Sequence, residues 1–190
     1  MKSNIIKDAL ILFAITLIAG LLLGGTYTIT EEPIKDQQIK IRNKALNSVI
    51  ENATFEKSTV DLENESSITE LFVAKKGEDI VGYAFKLATK EGYGGVIELV
   101  VGINIDGTVS GIDITKHSET PGLGANADKD SFKNQFKGKP TQQLTVVKNG
   151  ATSDTEIDSL SGATISSRAV TNAVNVAINY FNTNLSKGAQ

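Results

Sequence analysis

The stretch Ala9 to Thr30, "ALILFAITLIAGLLLGGTYTIT", carries no charged residue. As a helix it would reach roughly 33 Å, enough for a bilayer hydrocarbon core of about 30 Å. It therefore reads as a membrane span. A cleaved signal peptide is the competing reading, but the apolar run is long and no A-x-A site follows it, which favours retention. Lys2 and Lys7 precede the run and Glu31 and Glu32 follow it. The positive-inside rule then puts the N-terminus in the cytoplasm and residues 31–190 on the other side of a single-pass anchor.

This division orders the rest of the chain. Residues 1–30 are expected to be the cytoplasmic N-terminus and transmembrane helix, and 31–68 a stalk helix and linker. Residues 69–190 are expected to form the outer domain. In the stalk, "IKDQQIKIRNKALNSVI" spaces Ile34, Ile41, Ala45 and Val49 in a loosely helical pattern. Residues 52–68, of mixed charge with Asn and Ser, read as loop.

From Thr69 onward, short β-branched runs are broken by Gly77-Glu78-Asp79, by Gly92 to Gly95 and by Asp106-Gly107. That spacing predicts antiparallel strands, with Asp106-Gly107 the strongest hairpin signal. A short helical stretch follows around Asp130 to Phe136, then a strand in "QLTVVK", then a long terminal helix. Strands followed by helices make an α+β domain.

The terminal helix is legible from Ile165, Ala169, Val170, Ala173, Val174, Ala177, Ile178 and Phe181, which recur on one helical face. Ser167, Arg168, Thr171, Asn172, Asn175 and Asn179 fall on the other. The small-residue knot Ser161-Gly162-Ala163-Thr164 stands directly before it, at a helix start with unpaired N–H groups and the positive dipole end. Two readings are open. Ser161, Thr164 or Ser166 caps the helix, although the reciprocal acid of a capping box is missing. Alternatively, Gly162 and Ala163 keep the loop bare so that a bulky anion can approach Thr164.

Composition limits the chemistry. The net charge of −3, without a basic stripe, gives no nucleic-acid footprint. With no Cys and one His, disulfides, cysteine-ligated iron–sulfur clusters and Cys-based zinc sites are excluded within this chain, and no metal site is expected. A redox role would need an organic cofactor. Two loops hold more polar and glycine residues than a connection requires. "GYGG", residues 92–95, lets backbone approach a flat ligand. "HSETPGLG", residues 117–124, places Pro121-Gly122 at the centre of a type II turn beside His117, Glu119, Thr120 and Leu123.

These stretches, with "FKNQFKGK" and "DSLSGATISS" and in this order, resemble the covalent FMN-binding domain of the G subunit of the Rnf ion-translocating ferredoxin:NAD oxidoreductase. The C subunit of the sodium-translocating NADH:quinone oxidoreductase is similar. The resemblance spans nearly the whole chain. In that family a flavin transferase moves FMN from FAD onto the Thr of an Asp-x-x-Ser/Thr-Gly-Ala-Thr signature, matched here by Asp158, Ser161, Gly162, Ala163 and Thr164. The one departure is Ile165-Ser166-Ser167 where Leu-Thr-Ser is common.

The resemblance implies that Thr164 Oγ1 carries the phosphoester link and that Gly162 and Ala163 give clearance. Ser161 and Ser166 then count among the cofactor-binding residues, and Asp158 serves recognition by the transferase. It gives His117, Glu119, Thr120, Gly122 and Leu123 the tuning of the flavin, and Tyr93 and Gly94 its opposite wall. It further implies an electron relay coupled to Na⁺ or H⁺ transport, with no stand-alone turnover and no catalytic residue. The partners would be the other membrane and iron–sulfur subunits. The alternatives are the quinone-reductase C subunit and an anchored, non-redox extracellular binding domain.

Overall fold

The structure is a computed structural model that describes residues 2–59 and 67–186, with side chains from Ile5 onward. Residues 60–66 of the expected loop lie outside the described residues.

The first helix, α1, runs unbroken from Lys2 to Val49, with Pro33 inside it. The expected stalk is thus a continuation of the same helix. By length and composition α1 can cross a membrane. The hydroxyls of Thr16, Thr26, Thr28 and Thr30 bond back to carbonyls three or four residues earlier at 2.8–3.3 Å, so these donors are satisfied without water. Contacts divide the chain into two units, one ending at Ile41 and one beginning at Arg42.

The second unit is built on a five-stranded antiparallel meander, order β1-β2-β3-β4-β5. The strands are β1 Thr54–Lys57, β2 Ile68–Lys76, β3 Asp79–Gly92, β4 Gly95–Asn104 and β5 Val109–Lys116. Residues 54–57 fall in the stretch expected to be loop; four residues with one half-buried side chain leave too weak an alternation to read. After β5 come a 3-10 turn at Gly124–Asp128, the short α2 at Asp130–Lys133 and another 3-10 turn at Asn134–Phe136. Next, β6 Thr145–Val147 pairs in parallel with β7 Glu156–Asp158. Finally α3 runs Thr164–Tyr180. At the Asp106-Gly107 hairpin, Asp106 Oδ1 accepts from Thr108 N–H at 3.0 Å and Gly107 N–H bonds Asn104 C=O at 3.1 Å.

Strand alternation buries both faces of the sheet. On one, Phe85, Leu87, Leu99, Val101 and Ile112 share a core with Ala169, Val170, Ala173, Val174, Ala177 and Ile178 of α3. Two of the residues placed on the water face of α3 are in fact interior: Ser167 is 0 % and Thr171 1 % exposed. Each donates to the carbonyl four residues back, Ala163 and Ser167, at 3.0 and 2.9 Å, and this local bond is what allows a small hydroxyl side chain to be buried.

On the other face, Ala45, Leu46, Val49 and Ile50, from the end of α1 and just beyond it, pack on Phe72, Ala74, Ala84 and Val100. They come this close because Gly102 has no side chain: a Cβ there would lie 3.0 Å from Val49 Cβ and 3.1 Å from Ile50 Cγ1. The expected 69–190 segment omits these residues and β1, all of which belong to the second unit.

Beside that helix end, Glu70 meets Arg42 and Lys57 at 3.2 Å each and Lys86 at 3.4 Å. Burial opposes ionisation of Glu70, but the charges and hydrogen bonding of Lys57, Lys86 and Arg42 outweigh it and hold its carboxyl below the usual range. A depressed carboxyl stabilises the fold above its unfolded value and loses that contribution as pH falls through the folded one. Glu70→Gln should therefore melt below wild type at neutral pH. The gap should close as pH falls below the ordinary carboxylate range, and thermal melts at several pH values measure it.

Candidate functional site

Three segments far apart in sequence meet at one end of the sheet. The first is the tip of the β3–β4 hairpin, where Gly92 pairs with Gly95 and leaves Tyr93-Gly94 as the loop. The second is the loop after β5. Its Thr120–Leu123 turn is closed by Leu123 N–H to Thr120 C=O at 3.1 Å, with Gly122 at φ 78° in the central position expected for it.

The third segment is the start of α3. There a turn from Leu160 to Ala163 is closed at 3.0 Å with Gly162 at φ 71°. Gly162 is doubly constrained, because a Cβ would also come within 3.1 Å of Leu123 Cδ2.

The three enclose a cleft of about 520 Å³, within the range of small-molecule sites, about 300–1,000 Å³. Tyr93 lines it from the hairpin, Glu119, Thr120, Leu123 and Gly124 from the loop, and Gly162 to Ser166 from the helix start. Among the described residues, no charged side chain but Glu119 lines it.

Glu119 is 5 % exposed and fully engaged. Its Oε1 accepts from Gly94 N–H at 2.9 Å and its Oε2 from the Ser166 hydroxyl at 2.5 Å. One buried carboxylate thus ties the hairpin tip, the loop and the helix start together. His117 stands behind it, its Nδ1 accepting the Glu119 N–H at 3.2 Å. Removing the carboxylate strands the buried Ser166 hydroxyl and also frees the Gly94 N–H, at a cost of about 1–3 kcal/mol. Glu119→Ala should therefore lose about that much stability in urea titration, and Glu119→Gln, which keeps an acceptor, clearly less.

The helix start is bare. Its N-cap residue is Ala163, at φ −137° and ψ 46°, and no side chain caps it. The capping reading thus fails for all three candidates: the Ser166 hydroxyl is spent on Glu119, Ser161 sits exposed in the turn, and Thr164 Oγ1 has no hydrogen-bond partner among the described residues. Thr164 is half-buried in the cleft wall. The N–H groups and positive dipole end of a 17-residue helix open on the cleft unclaimed.

Of the residues singled out from sequence, Tyr93, Glu119, Thr120, Leu123, Gly162, Ala163, Thr164 and Ser166 line this one cleft. His117, Gly94, Gly122 and Ser161 stand behind or beside the wall, and Asp158 ends β7 outside it. Sequence reasoning singled out the loop 117–124 without giving Gly124 a role of its own, and it misplaced Ile165. A Cβ on Gly124 would collide with Glu119 Oε2, a contact with no local signal. Ile165 fits the apolar stripe of α3 but is 54 % exposed on the cleft wall, because the helix has only just begun there and the core lies a turn further on.

Residues 92–179 match the FMN-binding domain family, and residues 1–49 match the RnfG N-terminal region. The G subunit of the proton-translocating ferredoxin:NAD(+) oxidoreductase complex of Clostridium ljungdahlii is 37% identical, over 90% of this chain and 92% of its own length. The chain belongs to the G-subunit family of ion-translocating oxidoreductase complexes.

The G subunit of the Na(+)-translocating ferredoxin:NAD(+) oxidoreductase complex of Acetobacterium woodii is 34% identical over 96% of this chain and 94% of its own. Among solved structures, the C subunit of the Na(+)-translocating NADH-quinone reductase of Parabacteroides distasonis superposes with a TM-score of 0.51 at 30% identity, covering 58% of this chain and 60% of that one. In this member of the G-subunit family, the FMN-binding match contains all three cleft segments, and the N-terminal match ends at Val49, where α1 ends.

Proposed function

We propose that this protein carries FMN on Thr164 and relays electrons through it within a ferredoxin:NAD oxidoreductase that moves Na⁺ or H⁺ across the membrane. The observation that carries the reading is the Thr164 hydroxyl, without a partner among the described residues, at an uncapped helix start facing a cleft of cofactor size. An anion at that position gains the backbone N–H groups of the first helical turn and the positive dipole end. Bound there, the isoalloxazine supplies one- and two-electron chemistry.

The chain's own residues hold and shape the site. Leu123 and Tyr93 offer apolar wall, and Thr120 a polar contact. Glu119 fixes the three segments that line the cleft. Gly162 keeps the turn bare beside Leu123. A covalent link retains the cofactor where a dissociated flavin would be diluted away, so His117, Glu119, Thr120 and Gly122 serve tuning rather than retention. Attachment requires Thr164 Oγ1 to displace AMP from FAD: the Oγ1–P bond forms, the pyrophosphate P–O bond breaks, and the hydroxyl proton is lost. A flavin transferase conducts this step, with Asp158 as its recognition residue.

With no Cys in the chain, cysteine-ligated iron–sulfur relays belong to other subunits. Residues 1–30 anchor the protein with the N-terminus in the cytoplasm, and the rest of α1 and the flavin domain, whose compact unit begins at Arg42, lie on the far side. Ala9 to Thr30 has no ionisable side chain but Tyr27, so the anchor conducts no ion. The test is coexpression with a flavin transferase. Flavin fluorescence that stays with the chain on a denaturing gel, and an intact mass raised by one FMN less water, are expected. A colourless, unmodified chain would instead favour a non-redox binding domain.

A further inference from the structure

The stretch "FKNQFKGK", residues 132–139, lines no part of the cleft. Two of its residues are core: Phe132 and Phe136, 1 % and 0 % exposed, have ring centroids 5.5 Å apart. Lys133 is spent on Asp113 at 2.8 Å. Gln135 lacks any such local reason. Its Oε1 accepts the Asp158 N–H at 2.7 Å and its Nε2 donates to the Asp158 C=O at 3.3 Å, so both ends of one amide grip one residue's backbone. A primary amide offers that pairing, and a carboxylate, which lacks the donor, does not.

The other edge of the same segment is held too. Asp158 lies opposite Val147 in the parallel β6–β7 pair, and Ser159 N–H bonds Val147 C=O at 2.8 Å. Next, the wholly buried Ser167 accepts the Leu160 N–H at 2.9 Å and donates to the Ala163 C=O at 3.0 Å, spanning the Ser161-Gly162 turn. The Asp158 carboxylate and the Thr164 hydroxyl, at the two ends of this braced segment, have no partner among the described residues. The backbone between them is pinned at three points while the two reactive side chains are left free.

We propose that Gln135 and Ser167 are positioning residues for flavin attachment, holding residues 158–164 in the shape that the flavin transferase engages. The inference rests on the reading of Thr164 as flavin acceptor. A braced loop presents the Asp158 carboxylate and the Thr164 hydroxyl at a fixed separation, so binding does not have to order seven residues each time.

The experiment uses the full chain in detergent with purified flavin transferase and FAD. Covalent flavin is followed by intact mass against time over a range of chain concentrations, and each variant is also melted. Gln135→Ala and Ser167→Ala should lower kcat/KM about tenfold, mainly through KM, the size expected when one or two net hydrogen bonds are lost from the productive complex. Ser167→Thr, which keeps the hydroxyl, should restore most of the rate, and Gln135→Glu, which keeps one of two bonds, should fall between wild type and Gln135→Ala.

Asn175→Ala is the matched control. Asn175 grips the Leu144 N–H and C=O in the same way, at 2.8 and 2.9 Å, away from the acceptor loop. It should lower the melting temperature similarly yet accept flavin at the wild-type rate. The inference is overturned if Gln135→Ala matches wild type, or if Asn175→Ala slows transfer as much as Gln135→Ala does. A wild-type chain that takes up no flavin would overturn the acceptor reading itself and this inference with it.

Discussion

Thr164→Val should yield a folded protein without covalent flavin. The side chain keeps its shape and loses only its hydroxyl. Because Ala163 is the N-cap residue and Thr164 Oγ1 bonds to no described residue, no cap is lost with it. The stability change should stay within about 0.5 kcal/mol. The change in covalent flavin should be total, since the hydroxyls that follow in the same helical turn cannot take over. Ser166 and Ser167 are 1 % and 0 % exposed, and their hydroxyls are engaged with Glu119 and with Leu160 and Ala163. Thr164→Ala should behave like Val, whereas Thr164→Ser retains an oxygen nucleophile and should be partly modified. Gel fluorescence under denaturing conditions and mass spectrometry of the peptide spanning residues 158–168 are the measurements. Covalent FMN in the Val variant, or mapped to Ser161, Ser166 or Ser167 in the wild type, would defeat the assignment.

The second large effect concerns the end of α1. A chain starting at Arg42 should fold as a cooperative unit, and one starting at Asn52 should not. The longer form keeps Leu46, Val49 and Ile50, which are 3 %, 3 % and 5 % exposed against the sheet. At about 1.5–3 kcal/mol for each large side chain, their removal subtracts on the order of 5–9 kcal/mol, comparable with the whole stability of a domain, about 5–15 kcal/mol. It also exposes Phe72 and Val100. Circular dichroism and urea unfolding of both forms decide the matter. A cooperative transition at the same midpoint in the form starting at Asn52 would show that the helix end is dispensable.

Gly102 makes the same point in a single residue. Sequence reading treats such a glycine as a weak spot in a strand, and here it is the seat of Val49 and Ile50. The contact joins residues more than fifty positions apart, and nothing near Gly102 in sequence announces it.

What the sequence determined by itself was local. An uncharged run long enough for a bilayer became a helix, because apolar length needs no partner to be recognised. Asp106-Gly107 became a hairpin and Pro121-Gly122 a turn, because those residues prefer the backbone angles such turns require. The α3 stripe from Ala169 to Phe181 met the core because helical periodicity selects one face. That the Ser161-to-Thr164 knot stands at a helix start was also local, because the apolar stripe begins directly after it.

Only the tertiary structure decided which groups that knot faces and what holds it. Glu119 reaches Ser166 across 47 positions and Gln135 reaches Asp158 across 23. Each partner taken alone is an ordinary polar residue. The tertiary structure turned Ile165 outward to the cleft and buried Ser167 and Thr171, against the simple division of helix faces. It also drew the end of α1 into the domain core. A carboxylate or an amide can bond many groups, and its partner is selected when strand pairing and burial bring one of them within hydrogen-bond distance and exclude the water that would otherwise satisfy it.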